Sequence, residues 1–64
     1  MKASELRTFD VDTLHEKLTE YRQELMNLRF QHATAQLENT QRISRVKKNI
    51  ARILGVLGEK EMEN

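Results

Sequence analysis

Residues 11–35, VDTLHEKLTEYRQELMNLRFQHATA, carry the pattern on which the fold turns. Apolar positions recur at Val11, Leu14, Leu18, Tyr21, Leu25, Leu28, His32 and Ala35, with His32 the one polar member. The steps alternate between three and four residues. Such a rhythm keeps one stripe of a 3.6-residue helix turned toward a single partner, and a strand would need a period of two. Asp10 stands just ahead of the pattern, where its carboxylate accepts from a free N–H of the first turn, and Asp12 adds negative charge there. Phe9 and Leu14 occupy the positions of a hydrophobic staple. The spacing predicts a first helix over about 10–36.

Downstream, TAQLENTQ (34–41) interrupts the seam and supplies Asn39 or Thr40 as the cap of a second helix, with Gln41 and Arg42 in its first turn. Ile43, Val46, Ile50, Ile53 and Leu57 repeat the alternating spacing until Gly55 and Gly58 weaken the helix, Gly58 offering a C-terminal cap. The second helix is therefore expected over about 40–58, with an acidic tail over 59–64. Two seams on a short connection make an all-α, antiparallel two-helix hairpin, a single domain over residues 1–64. Ala3 to Arg7 are expected to add one turn folded over the open end. The chain shows no internal repeat, low-complexity segment or linker.

A chain of 64 residues without cysteine has no disulfide or thiolate metal site to supplement its core. Such a core rarely supplies more than about 3–5 kcal/mol. Charged residues are 33% of the chain, aromatics 5%, and proline is absent, a composition of long polar-faced helices rather than of a globular enzyme. The isolated chain is expected to be a marginally folded monomer that becomes ordered on a partner surface. No apolar run reaches the roughly 18 residues of a membrane span, and the N-terminus lacks the hydrophobic stretch of a signal peptide, so the chain reads as soluble and cytoplasmic.

The net charge of +1 conceals a division. Residues 1–38 sum to −2 and residues 59–64 to −2, whereas Arg42, Arg45, Lys47, Lys48 and Arg52 give residues 39–58 a charge of +5 with no acid among them. Gln41, Arg45, Lys48 and Arg52 fall on one outward stripe of the second helix, beside the small residues Ser44, Ala51 and Gly55. A row of cations flanked by small side chains suits a sugar-phosphate ridge, held by charge and side-chain donors without base readout. A solvated helix face is the alternative, although one made for solubility alone would mix the signs. On the first helix, Glu16, Glu20 and Glu24 form a ladder of like charges that should face solvent, away from phosphate. Met26, Phe30, Ala33 and Leu37 make a second apolar stripe on its far side, which cannot face the second helix and reads as a partner-contact patch.

Catalytic and metal-binding patterns are poor. His15-Glu16 has no second histidine at the spacing of a zinc-protease helix, and His32 stands too far along to serve. A two-helix hairpin offers no enclosed pocket, so neither metal, cofactor nor small-molecule substrate is expected, and no enzymatic activity.

The run Leu28-Arg29-Phe30-Gln31, Ala33-Thr34 and Gln36-Leu37-Glu38-Asn39 resembles the loop region of the bacterial large-subunit ribosomal protein twenty-nine family. Arg42-Ile43, Val46-Lys47-Lys48 and Ile50-Ala51-Arg52-Ile53 are similar to that family's second helix, and MKASELR to its opening, so the likeness covers nearly the whole chain. Three positions depart from the family habit: His32 for an aliphatic residue, Ala35 for glycine and Thr40 for proline. The resemblance implies a structural component of the 50S subunit, cytoplasmic and ribosome-bound. It further implies large-subunit (23S) rRNA as partner, beside ribosomal protein twenty-three near the polypeptide exit tunnel, where chaperones and targeting factors dock. It carries RNA contact onto Arg29, Gln36, Asn39, Arg42, Arg45, Lys47, Lys48 and Arg52, and leaves open whether Met26, Phe30 and Leu37 meet RNA or protein.

Two other readings compete. A free-standing antiparallel coiled-coil dimer, an adaptor or small RNA-binding regulator, would bury the Met26–Leu37 stripe against a second copy. Leu6-Arg7, Asp10, Asp12, Leu14, Leu18 and Arg22 also look like the opening helix of a helical chorismate mutase, but that fold needs a third long helix and further polar ligands that residues 36–64 do not supply.

Overall fold

A computed structural model describes residues 2–37 and 39–62. Three helices follow one another, α1 (Ala3–Leu6), α2 (Val11–Ala33) and α3 (Gln41–Met62), with no strand among the described residues. The two long helices pack antiparallel as a hairpin 45 Å in its longest dimension, and α1 packs on α3. The all-α hairpin read from the spacing is the observed architecture.

Helix α2 begins as its sequence dictates. Asp10 is extended at φ −76° and ψ 171°, and its Oδ1 accepts from the Thr13 N–H at 2.8 Å, which satisfies one orphan donor of the first turn. Hydrogen bonding from Thr13, through side chain and then backbone, holds the Asp10 carboxyl below the ordinary carboxylate range. Phe9 packs against the core that contains Leu14, completing the staple.

The helix stops earlier than residue 36. Ala35 adopts φ 61°, the left-handed conformation that glycine accepts most readily. The Ala35 N–H then donates to the His32 carbonyl at 3.1 Å and the Gln36 N–H to the Gln31 carbonyl at 2.8 Å, the paired bonds of a Schellman cap. His32 and Ala35 are consequently exposed and contribute nothing to the seam. Leu37 leaves the outer apolar stripe for the same reason: it lies in the connection, half-buried, four residues beyond the last helical position. Asn39 starts the second helix, its Oδ1 accepting from the Gln41 N–H at 2.9 Å.

At the other end α3 continues through Gly58 to Met62, so residues 59–62 are helix and not a tail; Glu63 and Asn64 lie outside the described residues. Neither glycine has a positive φ, so Gly58 makes no left-handed cap. The last turns are held from outside the helix instead. Val56 and Leu57 are buried, Arg7 forms a two-pronged pair with Glu59 at 3.0 and 3.1 Å, and Lys60 Nζ donates to the Arg7 carbonyl at 3.2 Å.

The core is weighted toward this open end. Leu6, Leu14, Leu18, Ile53, Val56 and Leu57 form one buried cluster, with Phe9, Val11, Tyr21 and Ile50 packed around it. Leu6 is fully buried, so the expected extra turn is an integral lid. It also accounts for Val56, which stands off the α3 seam yet is 2% exposed. Toward the loop only Leu28 and Val46 among the described residues are buried.

Candidate nucleic-acid interface

A shallow open concavity of about 290 Å³ runs along the outer side of α3, lined by Arg42, Arg45, Lys48, Asn49 and Arg52. All five come from one helix, so the hollow is the space between long side chains and not a cavity between elements. Its members follow from helical spacing. Arg42, Arg45, Asn49 and Arg52 step by three, four and three residues along one stripe, and Lys48 stands beside it. Four cations and an amide line it and no carboxylate of the described residues does, an arrangement that attracts a polyanion and offers it donors at intervals along the helix. The stripe expected from the charge pattern is thus recovered in Arg45, Lys48 and Arg52, with its axis displaced toward Arg42. Asn49 is an addition to that stripe, because an uncharged residue does not register in a charge pattern; its place four after Arg45 and three before Arg52 marks it.

The remaining expected contacts are spread around the loop end. Gln36 is exposed in the connection. Asn39 is exposed there too, but its side-chain Oδ1 is already engaged at the start of α3. Arg29 is exposed on α2 and Lys47 on α3, both outside the groove. Small residues Ser44, Ala51 and Gly55 are exposed on α3, and a Cβ built at Gly55 would meet nothing within 4 Å.

One acidic residue departs from its expected place. Glu16 and Glu20 are exposed, but Glu24 is half-buried and its Oε1 accepts from Arg42 Nε at 2.8 Å and again from the terminal guanidinium nitrogen. The ladder does not turn wholly away from the basic region. Its last member crosses the hairpin and neutralises one wall of the groove. A single helix's periodicity could not show this, because the pairing depends on how α3 is rotated and aligned against α2.

The apolar patch on α2 consists of Met26 and Phe30, 64% and 67% exposed, together with Ala33. Among the described residues no three His, Asp or Glu side chains gather so as to hold a metal ion, and no helix is long and apolar enough to cross a membrane.

The chain is also similar to known proteins along almost its entire length. It is 71% identical over 62 residues to the large ribosomal subunit protein uL29 of Maridesulfovibrio salexigens, with 97% of each chain covered. It is 56% identical over 64 residues to the protein of the same name from Lactobacillus helveticus, covering 100% of this chain and 98% of that one. Against the Rubrobacter xylanophilus counterpart the identity is 57% over 63 residues, covering 98% and 94%. The profile of the family described as ribosomal L29 protein matches residues 4–60. With the hairpin, the basic second helix and these likenesses in agreement, the chain belongs to the ribosomal L29 protein family.

Proposed function

We propose that this chain is a structural, non-enzymatic constituent of the large ribosomal subunit, held on 23S rRNA by the groove of α3. The observation that carries this reading is the lining itself, Arg42, Arg45, Lys48 and Arg52 along one helix with no acid among them. Arg45, Lys48 and Arg52 meet phosphate oxygens, and Asn49 supplies a neutral donor and acceptor within the same ridge. Arg42 is shared between Glu24 and the RNA, so it acts as a buttress more than as a free counter-charge. Arg29, Gln36, Asn39 and Lys47 belong to the rRNA-facing set at the loop end. Family membership supports the wider placement in the bacterial cytoplasm, near the mouth of the polypeptide exit tunnel beside ribosomal protein twenty-three, where chaperones and targeting factors reach the subunit.

A free-standing dimer draws less support. With Leu37 off the helix and Ala35 capping it, the outer apolar stripe shrinks to three residues across two turns, short of the several heptads a second coiled-coil seam needs.

Sedimentation of tagged protein from lysate through a sucrose gradient, at moderate and at raised salt, tests the assignment. Comigration with the large subunit at about one copy per particle is expected. A small oligomer remaining at the top of the gradient would refute it.

A further inference from the structure

The groove leaves unused two cations at the loop end, Arg29 and Lys47, and covers neither Met26 nor Phe30. Arg29, Lys47 and Met26 share one side of the hairpin, and Phe30 stands at its outer edge. At about 100° per residue, Glu24 lies about 80° to one side of the α2 seam and Arg29 about 60° to the other. On α3, Arg42 and Lys47 are divided in the same way, about 60° and about 80° from the seam on opposite sides. Because Glu24 bonds to Arg42, those two mark one flank of the hairpin, and Arg29 and Lys47 must occupy the other. Arg22, Met26 and Ala33 follow Arg29 on that flank, and Phe30 lies just beyond Met26.

We propose that this flank is a second RNA-binding face, on which Phe30 stacks against an unpaired base while Arg22, Arg29 and Lys47 hold the adjoining phosphates. The hairpin would then be gripped between two segments of rRNA, a conclusion that rests on the rRNA-bound reading above. Charge complementarity selects this occupant. No Asp or Glu stands three or four residues from Met26 or Phe30, and no carboxylate among the described residues pairs with Arg22, Arg29 or Lys47. An exposed aromatic ring at the edge of a cationic flank matches a polyanion that carries its own flat rings. A second copy related by a two-fold axis would set this cationic flank against itself, opposed by repulsion and offered little apolar area in return.

Incorporation of a photoreactive benzoylphenylalanine at position 30 (Phe30→benzoylphenylalanine) in cells, followed by irradiation of purified large subunits, identifies what touches the ring. A crosslink to rRNA is expected. Occupancy of the subunit at raised salt should fall about tenfold for Phe30→Ala relative to the parent, and Phe30→Tyr should retain it. Phe30 is exposed, so helicity of the free variants measured by circular dichroism should match the parent. A crosslink to a neighbouring protein or to a second copy overturns the proposal, as does the absence of any crosslink in particles where the same group at Lys48 reaches rRNA. In each of those outcomes the groove assignment stands. If the parent chain is absent from the particle, the functional reading falls and this inference with it.

Discussion

At the open end of the hairpin six apolar side chains from three helices close on one another, and Arg7 at the end of α1 bridges to Glu59 of α3. At the loop end Leu28 and Val46 alone among the described residues are buried, while Arg45, Lys48, Met26 and Phe30 all face outward. The same alternating spacing runs through both ends of α2 and α3, so the difference does not come from the seam. It comes from what is added to the seam. The short helix α1 supplies Leu6 as a lid at one end, and among the described residues nothing equivalent covers the other. Stability and recognition are thereby separated along about one hairpin length, and each can be disturbed without the other.

The largest expected effect lies at the closed end. Leu14 is fully buried among residues of all three helices, and Leu14→Ala should remove about 2–5 kcal/mol. That approaches the whole of what a chain this short retains, so the isolated variant should lack a cooperative thermal transition by circular dichroism. A melt within a few degrees of the parent would mean that the lid is not cohesive. At the loop end the reverse dissociation is expected. Arg45→Ala with Lys48→Ala and Arg52→Ala should leave the melt nearly unchanged and weaken rRNA association, flattening the slope of log K against log salt by about 2–3. Glu16→Ala with Glu20→Ala should do neither. Equal losses of affinity from the two sets would move the RNA contact off α3.

How much of this contrast is visible in the sequence depends on the range of the interaction. The seam is legible because it is a property of one helix at a time, and Leu14, Leu18, Val46, Ile53 and Leu57 all fall where the spacing puts them. The cations of α3 are legible for the same reason. The C-terminal ends of α2 and α3 differ from what the spacing predicts because each is decided by something outside its own period. Ala35 caps α2 in a conformation that alanine seldom adopts, so residue type gives no warning. Gly58 reads as a stop, yet the helix persists because Arg7 and Leu6, more than fifty residues earlier, hold its last turns. The Glu24–Arg42 pair escaped for a similar reason, since it depends on the register between two helices.

Two substitutions in opposite senses should sharpen the comparison with smaller effects. Ala35→Gly relieves a left-handed alanine and should stabilise the chain by about 1 kcal/mol. Gly55→Ala adds a methyl that meets nothing within 4 Å, in a helical glycine, and should contribute about 0.5–1 kcal/mol. Each should raise Tm by about 4–8 °C per kcal/mol. They differ in what they do to binding. Ala35→Gly should be neutral, whereas Gly55→Ala should reduce rRNA affinity if the sugar-phosphate ridge lies as close to α3 as its small residues allow. Unchanged affinity in a stabilised Gly55→Ala chain would show that the ridge stays farther out.

The smallest effect expected is a pH dependence confined to the closed end. Hydrogen bonding from Arg7, reinforced by its charge, holds the Glu59 carboxyl below its ordinary range, and the same pairing raises Arg7. Asp10 is lowered by its bonds with Thr13. A carboxylate whose folded pKa lies below its unfolded one binds protons more readily when the chain is unfolded. Its stabilisation is therefore complete above the unfolded value, about 3.9 for Asp and about 4.3 for Glu, and is lost as pH falls through the lower folded value. The parent Tm should thus be flat near neutrality and decline below about pH 4. Asp10→Asn with Glu59→Gln should lower Tm at pH 7 and make the acid decline shallower, because those two groups no longer titrate. Both residues are exposed, so the change should be modest and, for the ion pair, reduced by salt. An acid decline as steep in the double variant as in the parent would place the pH response elsewhere in the hairpin and leave the clasp between Arg7 and Glu59 without a part in it.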